Sequence, residues 1–186
     1  PGMEVQTREE VHIITLFHRL DELLVWQERV YDMLPKQRNR REFFGEQWVF
    51  DRAGFIAREN ERLLLTSTSF SVEEVARIVG TLGGVCIPAH VDRPSYSLIR
   101  NLGLVPAGLD FPALEISPRM RAEDAVLQFP QLKGYPLIKS SDAHRPHEIG
   151  WGRTVFRGRK PSLEEFLKAL RKEDGCYVAG TVTSHP

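Results

Sequence analysis

Hydrophobic and polar positions alternate in two different patterns near the start of the chain. The run 11–17 is β-branched and apolar and follows charged residues, so it predicts a mostly buried strand. Alternation along this strand places His12 on the same face as Ile14. From 20 to 34 the apolar positions instead follow helical spacing, and Pro35 ends that pattern.

Further along, two Ser-x-x-Glu sequences mark helix starts. Ser71 with Glu74, and Ser162 with Glu165, each predict a capping box, in which the two side chains satisfy each other's free backbone N–H groups. Three short apolar runs predict buried strands: 85–89, 114–116 and 137–140. Because helices and strands alternate, the pattern indicates an α/β fold with a largely parallel sheet.

The segment 19–66 has no evident strand pattern beyond its first helix and is predicted to be a helical insertion. Its basic run at 36–41 contains no interleaved aromatic residue, which favours a solvated surface over contact with nucleic acid. Its aromatic residues are predicted to form the core of the insertion: Trp48, Phe50 and Phe55.

Length and charge fit one globular domain that spans residues 1–186. The 25 basic and 25 acidic residues cancel, so no global charge attracts nucleic acid or an anionic membrane. No apolar run approaches the ~18 residues of a membrane helix, and no signal peptide opens the chain, so we expect a cytoplasmic protein without membrane contact. Cys86 and Cys176 are expected to be small core residues, with a single disulfide as the alternative.

Imidazole and carboxylate groups follow the predicted strands and also lie near the first residue. These candidate metal ligands are Glu4, His12, His90, Asp142 and His144. Zinc, manganese and iron are held by such groups, and a multinuclear site needs several that converge from different strands. Each alone is better explained as a capped or hydrogen-bonded loop residue, but together they indicate a metal site. A phosphate-binding glycine loop and a Gly-x-Ser-x-Gly sequence are both absent from the sequence, which argues against nucleoside triphosphatases and serine hydrolases.

Three motifs follow one another along the chain: Pro1–Glu4 with His12, Ile87–Pro94 and Ser140–His144. Together they resemble the PHP (polymerase and histidinol phosphatase) family of metal-dependent phosphoesterases. The Arg-Pro pair after Asp92 is similar to the stand-alone phosphoesterases rather than the polymerase-attached domains. The resemblance extends to about Gly152 and implies a distorted (β/α)7 TIM-like barrel, which would be incomplete here and would carry the insertion.

The resemblance also implies a role for each candidate ligand. Glu4 would bridge two cations and, with His12 and His90, complete the protein ligands of one of them. Asp142 would bind the second cation and His144 a third, but the family's early His-x-His motif has no counterpart in this chain. We therefore expect one near-complete site for a divalent zinc, manganese or iron ion out of up to three, and impaired activity of this carboxy-terminal portion alone.

The implied reaction is hydrolysis of a phosphomonoester or phosphodiester in a small metabolite, a nucleotide or an oligonucleotide end. Arg93 would contact the phosphate, or alternatively form an ion pair with Asp92 or another neighbour. His147 would donate a proton to the leaving group or orient a ligand, or simply lie in a loop. Glu115 would support the site or form a buried ion pair. The alternative functions are a non-catalytic metal-binding or assembly module on the same fold and a related hydrolase that attacks carbon.

An incomplete barrel has a consequence for association. Because a closed barrel has no free edge, loss of its first strands would expose unpaired backbone groups and apolar surface. We therefore expect a homo-oligomer, or a companion chain that carries the missing early strands.

Overall fold

Helices and strands form several small sheets in the computed structural model, which describes residues 1–184. The strands are β1 (Gly2–Gln6), β2 (His12–Leu16), β3 (Trp48–Phe50), β4 (Ile56–Glu59), β5 (Val85–Pro88), β6 (Leu114–Ile116), β7 (Leu137–Lys139), β8 (Gly152–Arg157) and β9 (Tyr177–Thr183). The helices are α1 (Leu20–Met33), α2 (Arg41–Phe44), α3 (Val72–Thr81), α4 (Leu98–Leu102), α5 (Ala122–Gln128) and α6 (Leu163–Arg171), with short 3₁₀ helices at Pro130–Leu132 and Pro146–Glu148. The strands predicted at 11–17, 85–89, 114–116 and 137–140 are confirmed.

The strand β2 is the middle of a three-stranded antiparallel sheet with the order β1-β2-β5. Residues 7–11 are the whole connection between β1 and β2, and so short a connection permits only antiparallel pairing. Ile13 and Thr15 are buried, while His12, Ile14 and Leu16 are half-buried on the opposite face. The predicted alternation is therefore confirmed, and it directs His12 away from the main core.

Helix α1 packs its apolar stripe on this sheet. Trp26 and Val30 are buried in the same cluster as Ile13. The indole N–H of Trp26 donates a hydrogen bond of 3.1 Å to the hydroxyl of Thr15, so the one polar atom of this buried ring is satisfied. The helix therefore fixes the position of β2 from the core side.

Helix α3 begins with the predicted capping box. The Ser71 hydroxyl accepts from the Glu74 N–H at 3.1 Å, and the Glu74 carboxylate accepts from the Ser71 N–H at 2.8 Å. After the helix the chain passes very close to the ring of Phe17, and a Cβ at Gly84 would lie 2.6 Å from that ring. Glycine at this position therefore allows β5 to enter the sheet beside β2.

The second half of the chain contributes two further strand pairs. β6 and β7 are parallel, whereas β8 and β9 are antiparallel. The Thr154 hydroxyl accepts from the Lys139 N–H at 2.7 Å and donates to the Lys139 carbonyl at 2.8 Å, which joins β7 to β8. At the start of α6 only half of the predicted capping box forms, because the Glu165 carboxylate accepts from the Arg159 N–H at 2.7 Å instead.

The mixed α/β prediction is confirmed, but the largely parallel sheet is wrong. Among residues 1–184 the only parallel pair is β6 with β7, and the sheets contain three, two, two and two strands. No closed barrel is formed by this part of the chain, so the incomplete (β/α)7 description is not confirmed. The short connection between β1 and β2 is the physical reason for the antiparallel half, since parallel strands need a long crossover.

The segment 19–66 is helical only in part. α1 and the single-turn α2 are helices, but β3 and β4 form an antiparallel hairpin, so an entirely helical insertion is wrong. β3 is apolar and β-prone, β4 begins with the β-branched Ile56, and the turn between them contains Gly54 at a φ of 84°. Three aromatic residues predicted as core are instead largely exposed: Trp48 at 42%, Phe50 at 58% and Phe55 at 72%.

The two cysteines and the lengths of the helices bear on two further predictions. Cys86 and Cys176 are both buried free thiols, which agrees with their prediction as core residues rather than a disulfide. Among residues 1–184 the helices are all too short or too polar to cross a membrane.

Candidate metal centre and adjoining cavity

Glu4 and His12 lie on facing strands of the first hairpin. In the register of β1 and β2, Glu4 pairs with Ile14 and Gln6 with His12, so Glu4 is the diagonal neighbour of His12. Diagonal neighbours share a face of the sheet and lie within reach of long side chains. The hairpin therefore brings a carboxylate and an imidazole together on the face that β2 directs away from the core.

His90 reaches the same place from the end of β5. The Ala89 N–H donates to the His12 carbonyl at 3.0 Å, which extends the β2–β5 pairing to the residue before His90. His90 then adopts a φ of 31°, a left-handed conformation that is costly for a residue with a side chain. This turn takes the chain out of the sheet while the imidazole, 2% exposed, stays beside His12.

The three side chains have the spacing of ligands around one cation. His90 Nε2 lies 3.2 Å from His12 Nδ1 and 3.7 Å from Glu4 Oε1, and His12 Nδ1 lies 3.5 Å from Glu4 Oε1. In a tetrahedral zinc site with bonds of about 2.1 Å, neighbouring ligand atoms lie about 3.4 Å apart. Glu4, His12 and His90 therefore fit a cation-binding set of two nitrogens and one oxygen.

Gln6 and Tyr96 orient the His12 ring. The Gln6 Oε1 lies 3.2 Å from His12 Nε2, and the Gln6 amide donates in turn to the Ser67 hydroxyl at 2.7 Å. Because an amide oxygen can only accept, Nε2 carries the proton and Nδ1 keeps a lone pair toward Glu4 and His90. Tyr96 stacks on the imidazole with ring centroids 4.9 Å apart, which restricts rotation of the ring.

Glu115 holds the backbone of His90. This carboxylate is 2% exposed, accepts from the His90 N–H at 3.0 Å and also accepts from the Ser140 hydroxyl. Burial raises its pKa above the ordinary value, although both hydrogen bonds oppose that shift. Glu115 therefore connects the end of β5 to the end of β7, and among residues 1–184 it does not form the ion pair that was its alternative interpretation.

The electrostatics of the cluster favour the forms that bind metals. Burial raises the pKa of Glu4, but when the histidines are protonated the hydrogen bond from His12 and the charges of His12, His90 and His144 outweigh it, so the pKa lies below its ordinary value. For His90, burial and the positive charge of Arg93 lower the pKa. An ionised carboxylate beside a neutral imidazole is the protonation state that a divalent cation requires.

Asp142 and His144 lie together in a neighbouring group. Asp142 is another residue in the left-handed region, at a φ of 46°, and its Oδ2 forms an ion pair of 2.6 Å with Arg93 Nη1. His144 is exposed, with Nδ1 3.9 Å from Asp142 Oδ1. Asp142 raises the pKa of His90 and His144 lowers that of Glu4, so the two groups interact electrostatically. Within residues 1–184, however, the close three-ligand set does not include Asp142 or His144.

Two other predicted residues have different surroundings. Asp92 accepts from the Ser117 N–H at 2.6 Å and from its hydroxyl, so it fixes a loop rather than pairing with Arg93. His147 is exposed and packs edge-on against Trp151, with ring centroids 5.7 Å apart. Its catalytic role stays a prediction, because nothing in this contact aims it at the metal ligands.

Two open cavities adjoin these groups. Glu4, His12 and Tyr96 line one of about 1070 Å³, whose other wall is formed by α1 and the β3–β4 hairpin. Arg93, Asp142 and His144 line the other, of about 920 Å³, together with Arg119 and Trp151. Glu4 and His12 thus line the first cavity, Asp142 and His144 line the second, and His90 lies beside the first group.

Lys139 is a buried cation behind the second cavity. It is 5% exposed, and its Nζ donates to the Thr183 hydroxyl at 3.0 Å. Burial lowers its pKa, although the charges of Asp92 and Glu123 oppose the shift. Sequence reasoning missed Lys139 in this position, as it missed Gln6 and Tyr96, because hydrophobic patterning does not report which polar side chains become buried.

The chain is similar to known proteins in part of its sequence and in its whole fold. The PHP-associated family model matches residues 121–174, a stretch that includes Asp142 and His144. None of the curated proteins compared with the chain matches it. Endonuclease Q from Pyrococcus furiosus, described as a novel lesion-specific endonuclease, matches 100% of the chain at 19% identity with a TM-score of 0.69.

A second similar structure is a complex of endonuclease Q with a 27-mer duplex substrate that has an abasic lesion at the active site. It matches 95% of the chain at 19% identity with a TM-score of 0.62. The chain spans about two fifths of the length of both structures, 42% and 40%. It therefore has the fold of part of endonuclease Q, a PHP-fold enzyme, and carries a PHP-associated segment, which confirms the resemblance that its motifs predicted.

Proposed function

We propose that the chain is the metal-binding part of a divalent-metal-dependent phosphodiesterase that acts on nucleic acid. The observation that carries this proposal is the cluster of Glu4, His12 and His90, whose donor atoms are 3.2 to 3.7 Å apart and of which Glu4 and His12 line a cavity of about 1070 Å³. The similarity to endonuclease Q supports nucleic acid as the substrate class, ahead of the small phosphorylated metabolites that the motifs alone also allow.

The chain's own residues would hold and orient the reacting groups. A bound divalent cation supplies Lewis acidity that stabilises negative charge on a phosphoryl oxygen. Glu4 and the two imidazoles would hold that cation, and Gln6 would keep His12 in the tautomer that presents Nδ1. Zinc, manganese and iron all suit this set of donors.

Arg93 is the group that would contact the substrate phosphate. Its guanidinium side chain is 38% exposed in the second cavity and has five N–H donors, of which the ion pair with Asp142 engages one nitrogen. A phosphate could therefore accept from the remaining donors while Asp142 fixes the orientation. His147 remains the proposed proton donor for the leaving group.

A non-catalytic metal-binding module is the second candidate function. Asp142 and His144 are separate from the three-ligand set, which favours this candidate. The set of Glu4, His12 and His90 could bind one cation even if no second or third cation were bound beside it. The proposed association with a second copy or with a companion chain applies to both candidates.

Hydrolysis assays with matched variants test the proposal. The protein is stripped of metal, reloaded with zinc or manganese, and incubated with bis-p-nitrophenyl phosphate, with oligonucleotides carrying an abasic site, and with phosphorylated metabolites. We expect cleavage of diesters that EDTA and His90→Ala abolish, while His18→Ala, a change at an exposed histidine, has no effect. Metal binding without hydrolysis of any substrate would support the non-catalytic module, and cleavage confined to metabolites would contradict the nucleic-acid substrate.

A further inference from the structure

The β3–β4 hairpin presents an aromatic face that the proposed chemistry does not use. Trp48 and Phe50 project from the same side of β3, Ile56 lies opposite Phe50, and Phe55 is in the turn. These side chains are 42%, 58%, 54% and 72% exposed in the same order. Contiguous exposed apolar groups of this size mark a surface that binds something.

The hairpin turn holds its aromatic residue in a fixed place. The Asp51 carboxylate accepts from the Ala53 N–H at 2.8 Å and from the Phe55 N–H at 2.9 Å. The backbone adds bonds from Asp51 N–H to the Phe55 carbonyl at 2.9 Å and from Gly54 N–H to the Asp51 carbonyl at 3.1 Å. Phe55 is therefore displayed by an ordered turn, which lowers the entropy lost when it stacks on a ligand.

The other side of the hairpin faces the candidate metal ligands. Val49 and Arg58 are paired across the two strands, and both line the cavity of about 1070 Å³ that also contains Glu4 and His12. A chain molecule that placed a phosphate at the metal ligands would therefore extend past the hairpin. The aromatic face lies on the reverse side of the same two strands, so a chain that leaves the cavity over the edge of the hairpin reaches it.

Arg58 is the one basic residue of strands β3 and β4, and it lines a cavity that Glu28 and Asp32 also line. Glu59 and Glu61 are engaged by Arg41 and Arg38, whereas no ion pair to Arg58 is found among residues 1–184. The guanidinium of Arg40 lies 4.4 Å from the Phe43 ring centroid, a cation over an exposed aromatic face. Arginine interleaved with exposed aromatic rings is the combination by which proteins bind single-stranded nucleic acid.

We propose that the β3–β4 hairpin binds unpaired nucleotides next to the phosphate that the metal site attacks. Trp48, Phe50 and Phe55 stack on bases, and Arg58 contacts the backbone inside the cavity. Stacking does not depend on base identity, so the surface selects single-stranded or locally unpaired nucleic acid rather than a sequence. This inference rests on the proposed function for the position of the phosphate, but binding can be tested without catalysis.

Alanine variants and a fluorescent oligonucleotide provide the test. Trp48→Ala, Phe50→Ala and Phe55→Ala are compared with Leu127→Ala, a change at an 80% exposed leucine on α5. Affinity for a fluorescein-labelled single strand and for the matched duplex is measured by anisotropy, and hydrolysis of bis-p-nitrophenyl phosphate, which has no base, is measured in parallel. Circular dichroism confirms that each variant is folded.

Each hairpin variant is expected to bind the single strand about 10-fold more weakly, while Leu127→Ala binds like the wild type. Hydrolysis of the base-free diester should be unchanged in all four variants. Equal affinity of the hairpin variants and the wild type for the single strand would overturn the proposal. It would also be overturned if light scattering showed that the hairpin variants change their oligomeric state while they still bind the oligonucleotide, because the aromatic face would then be a protein interface. If the wild type does not hydrolyse the diester, the proposed function is refuted. The binding measurements then still test whether the hairpin binds unpaired nucleotides.

Discussion

Replacing Glu115 by alanine tests how the fold supports the candidate metal ligands. The carboxylate is buried and accepts from the His90 N–H and the Ser140 hydroxyl. In Glu115→Ala both donors lose their acceptor, and His90 loses the contact that holds its left-handed backbone, at a φ of 31°. Glu115→Gln is the matched control, because its amide has the same shape, accepts from the N–H and donates to the hydroxyl.

The size of the effect follows from these contacts. A buried donor left without a partner costs about 1–3 kcal/mol. The substitution leaves two such donors, the His90 N–H and the Ser140 hydroxyl, and the hydroxyl can rotate toward another partner. We therefore expect the free energy of unfolding to fall by about 3 kcal/mol. For a chain of this size, 1 kcal/mol shifts the melting temperature by about 2–4 °C, so we expect a decrease of about 6–12 °C. Removing a group that positions a metal ligand typically weakens metal affinity by about 10- to 100-fold.

Two measurements separate stability from metal binding. Thermal unfolding in EDTA gives the structural cost, and calorimetric titration with zinc gives the affinity. We expect Glu115→Gln to melt within about 3 °C of the wild type. The role assigned to Glu115 would be refuted if the alanine variant had the melting temperature of the wild type, or if it bound zinc as tightly as the glutamine variant.

Three further predictions concern other residues around the two cavities. Gln6→Ala should weaken zinc binding about 10-fold while Ser67→Ala has a smaller effect, because Gln6 alone fixes the His12 tautomer; equal effects in titration would contradict this. Arg93→Lys should lower kcat/KM for bis-p-nitrophenyl phosphate about 100-fold, because lysine keeps the charge but loses the planar donors; unchanged kinetics would contradict phosphate contact. Because burial lowers the pKa of Lys139, the unfolded chain binds this proton more tightly, so the free energy of unfolding should rise with pH between the lowered pKa and 10.5. Urea unfolding of Lys139→Met should lack that rise, and an identical pH dependence would show that Lys139 is solvated.

Local patterns in the sequence predicted the elements that place the metal ligands. The alternation in β2 predicted the exposed face of His12, and the Ser71–Glu74 pair predicted the start of α3. Both signals act within a few residues, so they can be interpreted without knowledge of tertiary contacts. Residue chemistry therefore identified Glu4, His12 and His90 as candidates, and the family resemblance implied their grouping around one cation.

Properties that depend on distant residues were not predictable in the same way. The hairpin of β3 and β4 was missed because its strands are only three and four residues long. Its aromatic residues were predicted to be buried, but the core beside the hairpin is formed by residues of α1 such as Trp26 and Val30. Asp142 was expected among the ligands; among residues 1–184 it lies outside the close three-ligand set and forms an ion pair with Arg93, 49 positions earlier in the chain. Such pairings are set by how β5 and β7 are placed in space.

Crystals grown with zinc provide the most direct test of the cation site. An anomalous difference map recorded at the zinc edge locates the ion without any assumption about the ligands. We expect one strong peak about 2.0–2.2 Å from a carboxylate oxygen of Glu4, from Nδ1 of His12 and from a ring nitrogen of His90. A map without density at these three side chains, or with zinc only at Asp142 and His144, would contradict it.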